Sequence, residues 1–408
     1  MSLNSWRGET PLPSTVYNVN MLRVAMVSPY SVSVPGGVQA QVMGLARELR
    51  RIGHEVRVLA PCDGPPPEPF VTPLGKSLPT AANGSVAPLA PDPSAALRTI
   101  RALNDEAFDI IHLHEPIAPG PTATALLLQL APTVGTFHAA GDSSSYRVLN
   151  KTARWAADQL STRVAVSASA KELAHRYLGG DYTVLFNGIE TERYRRPMVE
   201  RSSEPTIFFV GRHEPRKGLE VLLDAMADLP SNARLWIASD GEGIDELKTR
   251  FQSDRRIEWL GRISEEDKLD RLARCTVFCA PSLRGESFGI VLLEAMAAGA
   301  SLVASAIDGY VNVATSEKNS LLVPPGDAHQ LAFAINKVVG DTQLRANLIS
   351  EGHLRAQQFS MSLLASKYVD IYRMLLESEA SNELLVRPNR LVSMFPDRLL
   401  RRPWSGRS

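Results

Sequence analysis

The sequence has few cysteines and no excess of either charge. Three of its 408 residues are cysteine, at positions 62, 275 and 279. So few cysteines exclude a disulfide framework and indicate a reducing compartment. Lys and Arg together number 44, and so do Asp and Glu. This balance lacks the basic surplus that is typical of proteins that bind nucleic acid, so we expect no nucleic-acid partner.

Signals for metal ions, membranes and export are also absent. Cys275 and Cys279 flank a short apolar run, and no second group of Cys or His follows at ligand spacing, so we predict no metal site. The longest apolar stretch, 291–306, is interrupted by a glutamate and a glycine and is too short to span a bilayer. Residues 1–20 contain no apolar core of a secretory signal. We therefore expect a disordered leader and a cytoplasmic protein.

What the sequence does contain is a regular alternation of short β-branched runs with helical patterns. This alternation is typical of parallel sheets built from βαβ units. The predicted strands are 22–27, 56–60, 109–113, 133–137, 164–167, 183–186, 207–210, 235–238, 257–260, 277–280, 302–304 and 320–323. A helix with one apolar face is predicted over 38–52, and helical periodicity also follows residue 327. The length suits two α/β domains.

A polar stretch at 192–205 interrupts the alternation, and we place the linker between two doubly wound domains there. Ligands of such sheets bind at the carboxyl ends of the strands, so two facing domains predict a ligand in the cleft between them.

Ten prolines within 61–93 exclude a long helix, and we predict a long surface loop there.

The segment 384–408 carries six arginines and one acidic residue, a difference of 6 − 1 = +5. Phe395 and Trp404 lie among these arginines. Two interpretations stay open: a disordered basic tail, or a contact of these basic and aromatic side chains with an anionic membrane surface.

Two turns that follow predicted strands have the composition of anion sites. Gly36 and Gly37 precede the helix over 38–52, whose N-terminal N–H groups suit a phosphate, although a tight βα turn explains the glycines equally well. The G-x-G-x-x-G spacing of a dinucleotide site is absent. Arg212 and Lys217 could bracket one anionic group, with a solvated rim as the alternative.

Two glutamates, Glu286 and Glu294, stand two helical turns apart around an apolar run. A carboxylate at Glu294 needs hydrogen-bond donors, which sugar hydroxyls provide, although pairing with an arginine or capping of backbone amides would also satisfy it. His138 ends the strand 133–137. It could orient a sugar hydroxyl or stabilise developing charge, or it could be a hydrogen-bonded structural residue.

The combined pattern resembles retaining glycosyltransferase family 4, whose members have the GT-B fold of two facing Rossmann-like domains. The resemblance covers 21–376. The motifs that carry it are Gly-Gly at 36–37, Thr-Phe-His at 136–138, Asn-Gly-Ile at 187–189, Gly-Arg with Arg-Lys-Gly within 211–218, and the Glu pair that encloses Ser-Phe-Gly within 286–294.

Within the family, five segments are most similar to the phosphatidylinositol mannosyltransferases of actinobacteria: 26–31, 34–39, 83–87, 114–116 and 285–291. This resemblance implies transfer of mannose from GDP-mannose to an inositol lipid, with retention and without a covalent nucleophile, a metal or another cofactor. It also implies an acceptor-binding domain over 21–200, a donor-binding domain over 201–360, a helix over 361–377 that returns to the first domain, and a basic tail over 378–408.

The resemblance assigns site residues one by one. The donor-binding residues are Gly36, Gly37, Arg212, Lys217, Ile263, Lys268, Glu286, Ser287, Phe288, Gly289, Ile290 and Glu294. The acceptor-binding residues are Tyr30, Gln39, Asn83 and Ser85. The residues expected to act in catalysis are His138, Arg212, Lys217 and Glu286.

Several alternatives stay open. The segment 93–107 keeps only two basic residues, Arg98 and Arg101, where the resemblance implies a basic cluster against the membrane. The acceptor is then a different inositol lipid or a soluble inositol, and contact with the inner face of the plasma membrane is peripheral. A UDP-sugar donor, a nucleotide-sugar epimerase or hydrolase, and a non-catalytic protein that binds sugar nucleotides are the other candidates.

Overall fold

The computed structural model describes residues 21–82, 85–139, 150–196, 204–286 and 288–382. The predicted leader, the basic tail after 383 and part of the predicted linker therefore lie outside the described residues. Within them the chain forms two parallel sheets covered by helices, which confirms the predicted α/β class.

The first sheet has the strand order β3-β2-β1-β6-β7-β8-β9. Its strands are β1 (Arg23–Val27), β2 (Glu55–Ala60), β3 (Val71–Pro73), β6 (Ile110–His114), β7 (Thr133–Phe137), β8 (Thr162–Ala165) and β9 (Thr183–Val184). The helices of this half are α1 (Gly37–Arg51), α2 (Pro93–Asp105), α3 (Pro121–Leu128), α4 (Asn150–Ala157), α5 (Ala168–Leu178) and α6 (Thr191–Tyr194).

The second sheet has the order β12-β11-β10-β13-β14-β15. Its strands are β10 (Thr206–Val210), β11 (Arg234–Ala238), β12 (Ile257–Trp259), β13 (Val277–Ala280), β14 (Ser301–Ser305) and β15 (Leu321–Val323). The helices that follow α6 are α7 (Leu219–Ala225), α8 (Ile244–Arg250), α9 (Glu265–Arg274), α10 (Ile290–Ala297), α11 (Asp308–Val311), α12 (Ala328–Gly340), α13 (Thr342–Gln357) and α14 (Met361–Asn382).

The prediction of a plain surface loop over 61–93 was wrong. This segment contains β3 and an antiparallel hairpin of β4 (Leu78–Ala82) and β5 (Ser85–Leu89). Its prolines exclude a helix, but an edge strand and a two-stranded hairpin tolerate them because each strand has a side without a ladder partner. Part of the segment also belongs to the core, since Leu74 is fully buried.

Two predicted strands end earlier than expected. The strand predicted over 164–167 ends at Ala165, because the Ser167 side chain accepts a hydrogen bond from the Ala170 N–H and caps α5. The strand predicted over 183–186 ends at Val184. Phe186 leaves the sheet and its ring stacks on that of Phe288, with the centroids 5.4 Å apart.

The last helix, α14, returns to the first sheet and shares an apolar layer with α1. The buried side chains of α1 recur at three- and four-residue spacing, and they face Tyr368 and Tyr372 of α14 across this layer. Burying one such aliphatic side chain contributes about 1.5–3 kcal/mol. The C-terminal helix therefore contributes to the stability of the first half of the molecule.

The chain crosses between the sheets twice, and the two crossings are paired. The Ile189 N–H donates to the Phe359 carbonyl over 2.8 Å, and the Met361 N–H donates to the Ile189 carbonyl over 2.7 Å. The Gln41 side chain of α1 bonds both the N–H and the carbonyl of Gly188, over 3.0 and 2.7 Å. These bonds fix the angle at which α1 faces the second sheet.

Candidate active site between the two sheets

A cleft of about 640 Å³ lies between the carboxyl ends of the two sheets. This is the place where doubly wound sheets bind ligands. Its lining includes Gly36, Gly37, Gln39, Lys217, Lys268, Glu286, Phe288, Gly289, Ile290 and Glu294. The structure therefore brings together most of the residues that the resemblance assigned to the donor.

The start of α1 forms the wall on the side of the first sheet. Gly36 is extended, with φ −173°, and it gives the helix no side-chain cap. A Cβ added to Gly36 would lie 2.3 Å from the Gln39 Oε1, whereas one added to Gly37 would face open space. The N–H groups of the first turn are thus left without a side-chain cap beside a cleft that a phosphate can enter.

Glu286 follows β13 and is held through one of its oxygens. Its Oε1 accepts hydrogen bonds from the Lys217 Nζ over 2.6 Å, from the Arg216 guanidinium over 3.2 Å and from the Ser282 hydroxyl over 3.2 Å. The three donors found among the described residues all bind Oε1, and none of them reaches Oε2 of Glu286. One carboxylate oxygen is therefore saturated, and the other is left for a ligand in the cleft.

Lys217 and Arg216 lie in a short 3-10 turn, Pro215–Lys217, that ends at Gly218 with φ 71°. A side chain at Gly218 would clash with the backbone of Pro281, so this turn packs closely on the loop that carries Glu286. The prediction named Lys217 but missed Arg216. The adjacent basic pair within Arg-Lys-Gly is the signal that could have identified it.

Arg212 lies at the exposed edge of this cluster, directly after β10 and before the turn that carries Lys217. Its side chain is 68% exposed and forms an ion pair with Glu214 over 3.2 Å. Glu214 also pairs with Arg216 over 2.6 Å, so this carboxylate links Arg212 to the cluster. That Arg212 and Lys217 bind one anionic group stays a prediction.

Glu294 lies in α10, where it accepts hydrogen bonds from protein side chains and also lines the cleft. Its Oε1 accepts from the Tyr194 hydroxyl over 2.8 Å, and its Oε2 accepts from the Lys268 Nζ over 3.2 Å. Burial lowers the pKa of Lys268, but Glu294 and Glu265 outweigh it, so the pKa of this lysine is raised. Glu294 is thus satisfied internally, by a lysine and a tyrosine, and still lines the cleft.

His138 belongs to a buried chain of histidines on the side of the first sheet. Its Nε2 lies 2.9 Å from the Nδ1 of His114, whose ring stacks on that of His112 at 4.4 Å. Burial lowers the pKa of His138 to about 3. A neutral imidazole acts through its hydrogen bonds and not through a positive charge, and the predicted roles of His138 stay predictions on that basis.

The backbone beside His138 is held by an unusual residue. Glu115 has a positive φ of 52°, which is rare for a side-chain-bearing residue. Its Oε1 accepts hydrogen bonds from the N–H groups of His138 and Ala139, each over 2.7 Å. Glu115 therefore fixes the end of β7, a contact that the sequence prediction missed.

The predicted acceptor residues are distributed along the first half. Gln39 is buried, lines the cleft and donates to the Ser31 carbonyl over 3.4 Å. Tyr30 forms an antiparallel bridge with Leu89 next to the hairpin, and burial raises the pKa of its phenol. Ser85 begins β5, and Asn83 lies outside the described residues.

Three predicted donor residues differ in their surroundings. Phe288 is 1% exposed and packs against Phe359 as well as lining the cleft, so its main contacts are in the core. Ile263 packs on the core of the second sheet and is not part of the cleft lining. Ser287 lies outside the described residues.

The parts of the chain that the structure describes contain neither a cluster of metal ligands nor a helix that could span a membrane. No group of three or more His, Cys, Asp or Glu side chains there has the arrangement that could hold a metal ion. In the same residues, every helix is too short or too polar to cross a membrane.

Comparison with known proteins identifies the family. The model of "Glycosyltransferase Family 4" matches residues 35–193, and that of "Glycosyl transferases group 1" matches 190–355. A phosphatidyl-myo-inositol mannosyltransferase of Mycobacterium leprae is 36% identical over 365 residues, which cover 86% of this chain and 96% of the relative. The chain belongs to glycosyltransferase family 4.

The transferase is also 35% identical over 361 residues to a phosphatidyl-myo-inositol mannosyltransferase of Mycolicibacterium smegmatis, covering 86% of this chain and 93% of the relative. Sucrose-phosphate synthase from Thermosynechococcus elongatus superimposes with a TM-score of 0.70 at 20% identity, over 88% of this chain and 100% of that chain. The predicted family and the predicted GT-B fold are thus confirmed.

Proposed function

We propose that the transferase moves mannose from GDP-mannose to a hydroxyl of the inositol ring of phosphatidylinositol or a related inositol lipid, with retention at the anomeric carbon. The observation that carries the proposal is the cleft in which Lys217, Glu286 and Glu294 face the uncapped start of α1. The names of the relatives from Mycobacterium leprae and Mycolicibacterium smegmatis support the choice of sugar and acceptor.

The departing diphosphate needs positive charge that is in place before the reaction. Lys217 and the first-turn N–H groups at Gly37 line the cleft from opposite domains and can approach one phosphate group together. Arg212 belongs to the same domain as Lys217, and its exposed side chain would have to leave Glu214 to reach the same group. Donors that are positioned in advance stabilise the developing charge of the transition state without reorganisation.

The sugar needs hydrogen-bond acceptors, and the two glutamates provide them. Oε2 of Glu286 is the oxygen that we assign to a hydroxyl of the mannose, since Oε1 is already occupied by protein donors. Glu294, with Lys268 beside it, lies where the ribose and base would extend. We assign no covalent nucleophile, and the proposal needs no metal ion or further cofactor.

The acceptor is placed on the side of the first sheet, with Gln39 lining the cleft and Tyr30 beside the hairpin. The helix α2 contributes little charge for an anionic lipid surface. Arg101 pairs with Asp105 over 3.2 Å, and Arg98 donates to the Leu74 carbonyl over 3.3 Å. This observation favours a second candidate acceptor, a soluble inositol, with the same donor and the same bond formed.

Closure of the two domains would exclude water, which otherwise competes with the acceptor for the activated sugar. We further propose that the transferase works on the cytoplasmic side of the membrane and contacts the lipid surface without spanning the bilayer. The basic segment 384–408 is proposed as an accessory contact. The absence of a spanning helix among the described residues is compatible with such peripheral contact.

The test is an incubation of the purified protein with GDP-mannose and vesicles that contain phosphatidylinositol, in which mannolipid and GDP are both measured. We expect mannolipid with the α-anomeric configuration by NMR, and its loss in Glu286→Ala. Glu172→Ala is the matched control, since this glutamate pairs on the surface with Arg176 and is 70% exposed.

Other products would replace the proposal with one of its alternatives. Turnover of soluble inositol alone would assign the second acceptor, and turnover of UDP-sugars alone would reject GDP-mannose. Release of GDP without mannolipid would indicate a hydrolase, and an altered sugar nucleotide would indicate an epimerase. Binding of GDP-mannose with no product of any kind would indicate a non-catalytic protein.

A further inference from the structure

We propose that Ser282 and Tyr310 form a hydrogen-bond relay that positions the carboxylate of Glu286, and that they are positioning residues of the transfer reaction. This inference rests on the proposed function, because it assigns Glu286 to the sugar. Nothing in the motif pattern of the sequence indicates either residue, since Tyr310 lies 24 positions beyond Glu286, in α11.

The direction of each hydrogen bond in the relay is fixed by chemistry. A glutamate that is paired with a lysine and an arginine is a carboxylate, which only accepts hydrogen bonds. The Ser282 hydroxyl must therefore donate to Oε1 of Glu286, over 3.2 Å. Its oxygen is then the acceptor for the Tyr310 hydroxyl, which lies 2.9 Å away.

Both residues of the relay are buried, so these bonds are shielded from bulk solvent. Ser282 is 2% exposed and Tyr310 is 1% exposed. Both also border a cavity of about 250 Å³ that shares Lys217, Lys268 and Glu294 with the main cleft. The relay thus stands behind the cleft, on the side of Glu286 that faces the protein.

The backbone around Tyr310 supports the same arrangement. A Cβ added to Gly309 would overlap the Glu286 carbonyl oxygen, so the start of α11 lies directly against the backbone of Glu286. The 3-10 turn with Lys217 holds this loop from the other side, where the Leu283 N–H donates to the Arg216 carbonyl over 2.7 Å. Glu286 is therefore fixed through its backbone as well as through Oε1.

The relay explains why a flexible side chain presents one defined oxygen to the cleft. With Lys217, Arg216 and Ser282 all on Oε1, rotation of the carboxylate would break three hydrogen bonds at once. A serine that also accepts a hydrogen bond from Tyr310 has its own rotation restricted. Restricting Glu286 before the sugar arrives matters most in the transition state, where the hydrogen bond to the sugar must be well aligned.

The relay is tested with Tyr310→Phe and Ser282→Ala, each of which removes a hydroxyl and little volume. We expect kcat to fall about threefold to tenfold in Tyr310→Phe and about tenfold in Ser282→Ala, with the KM for the donor changed less than twofold. The double variant should fall no further than Ser282→Ala alone, since both act through the same bond. Tyr182→Phe is the control, a buried tyrosine outside the cleft whose hydroxyl lacks a protein partner among the described residues.

The kinetics are measured with GDP-mannose as donor and phosphatidylinositol as acceptor. UDP-glucose and UDP-galactose are then tested in place of the donor, and water in place of the acceptor. Wild-type kcat in Tyr310→Phe, or an increase of KM without loss of kcat, would overturn the relay while the proposed function stands. Turnover of a UDP-sugar only would overturn the proposed function, and the relay would then be decided by the kcat values with that donor. A wild-type protein that turns over none of these donors would overturn both. Melting temperatures of all variants identify any that fails to fold, and Tyr310→Trp or Ser282→Thr then replaces it, with Thr expected to restore kcat because it keeps the hydroxyl.

Discussion

The carboxyl ends of the two sheets differ in the chemistry of their side chains. On the first sheet these side chains include buried histidines and tyrosines. His112, for example, forms hydrogen bonds with the hydroxyls of Tyr372 and Thr136, over 2.8 and 2.7 Å. On the second sheet the corresponding groups are charged, with Lys217 on Glu286 and Lys268 on Glu294.

The difference follows from what each side must do with charge. A nucleotide sugar carries two phosphates, and only fixed cations and helix N-termini stabilise them as the bond breaks. The inositol ring of the proposed acceptor is uncharged, so hydrogen bonds are what hold it. Burial keeps the histidines of the first side neutral, since it lowers the pKa of both His112 and His138 to about 3.

The two sides are joined by a chain of ion pairs along the crossings. Arg47 of α1 binds Glu190 over 2.6 Å, Arg193 lies 3.8 Å from Glu190 and 4.0 Å from Glu265, and Glu265 pairs with Lys268 over 3.0 Å. All five of these charged side chains also line the cleft, so the ion pairs connect the two sides along its wall.

The largest effect is expected on the charged side, for Lys217→Ala. We predict a loss of about 10²–10³ in kcat, because the variant removes a cation from the diphosphate and leaves Glu286 without its shortest hydrogen bond. Steady-state kinetics with GDP-mannose measure the loss. The control is Lys248→Ala, which removes a surface ion pair with Asp245. Equal rates in the two variants would contradict the assignment of Lys217 to the leaving group.

The second prediction concerns the pH dependence of the neutral side. A histidine with a folded-state pKa near 3 binds fewer protons than in the unfolded chain, so its contribution to stability is complete above about pH 6.5 and is lost as the pH falls toward 3. Between pH 7 and pH 5 this loss is about 2 kcal/mol for one histidine.

This loss is measured by urea unfolding of wild type and of His112→Asn at both pH values. The variant should be less stable at pH 7 but should lose about 2 kcal/mol less on acidification. The window stays above the range in which Asp and Glu protonate. His329→Asn is the control, since its side chain is 90% exposed. The same acid sensitivity in His112→Asn and wild type would show that His112 is not held neutral.

A third prediction compares one tyrosine hydroxyl from each side. Tyr194→Phe removes the donor to Glu294, and we expect the KM for GDP-mannose to rise about fivefold with little change in stability. Tyr368→Phe removes a hydrogen bond to Thr136, and we expect a loss of about 1 kcal/mol in the free energy of unfolding with an unchanged KM. Donor titration and urea unfolding of both variants are the measurements, and the reverse pattern would contradict the division between the two sides.

Much of the fold could be predicted from the sequence, because it depends on local patterns. The strands β7 and β13 have the predicted bounds, and α1 begins one residue before its predicted start. Alternation of strands and helices repeats along the chain, so each unit carries its own signal. The hairpin of β4 and β5 was missed because prolines are a signal against helix and strand alike. A two-stranded hairpin tolerates them, but that the two strands pair with each other is visible only in the structure.

The candidate site could be predicted where one residue type in one motif carries the chemistry, as for Lys217 and Glu286. The partners of these residues could not be predicted in this way. Tyr194 reaches Glu294 across 100 positions and Tyr310 reaches Ser282 across 28, so only the folded chain brings them together. The lowered pKa of His138 could not be predicted from the sequence either, because it results from burial of the ring in the folded chain.

The smallest effects on KM are expected for Gly36 and Gly37, which lie where the two sides meet at the start of α1. Substitutions of these two glycines should affect the donor and the acceptor separately. In Gly37→Ala the methyl group faces the open cleft, so we expect the KM for GDP-mannose to rise about threefold while helix stability stays the same or gains up to about 1 kcal/mol. In Gly36→Ala the backbone is unstrained, but the Cβ displaces the Gln39 amide. We expect the KM for the acceptor to rise about threefold and that for the donor to stay constant, because only Gln39 moves. Both KM values are measured in both variants. If Gly36→Ala raised the KM for the donor and left that for the acceptor unchanged, Gln39 would belong to the charged side. The boundary between the two sides would then lie one turn further along α1.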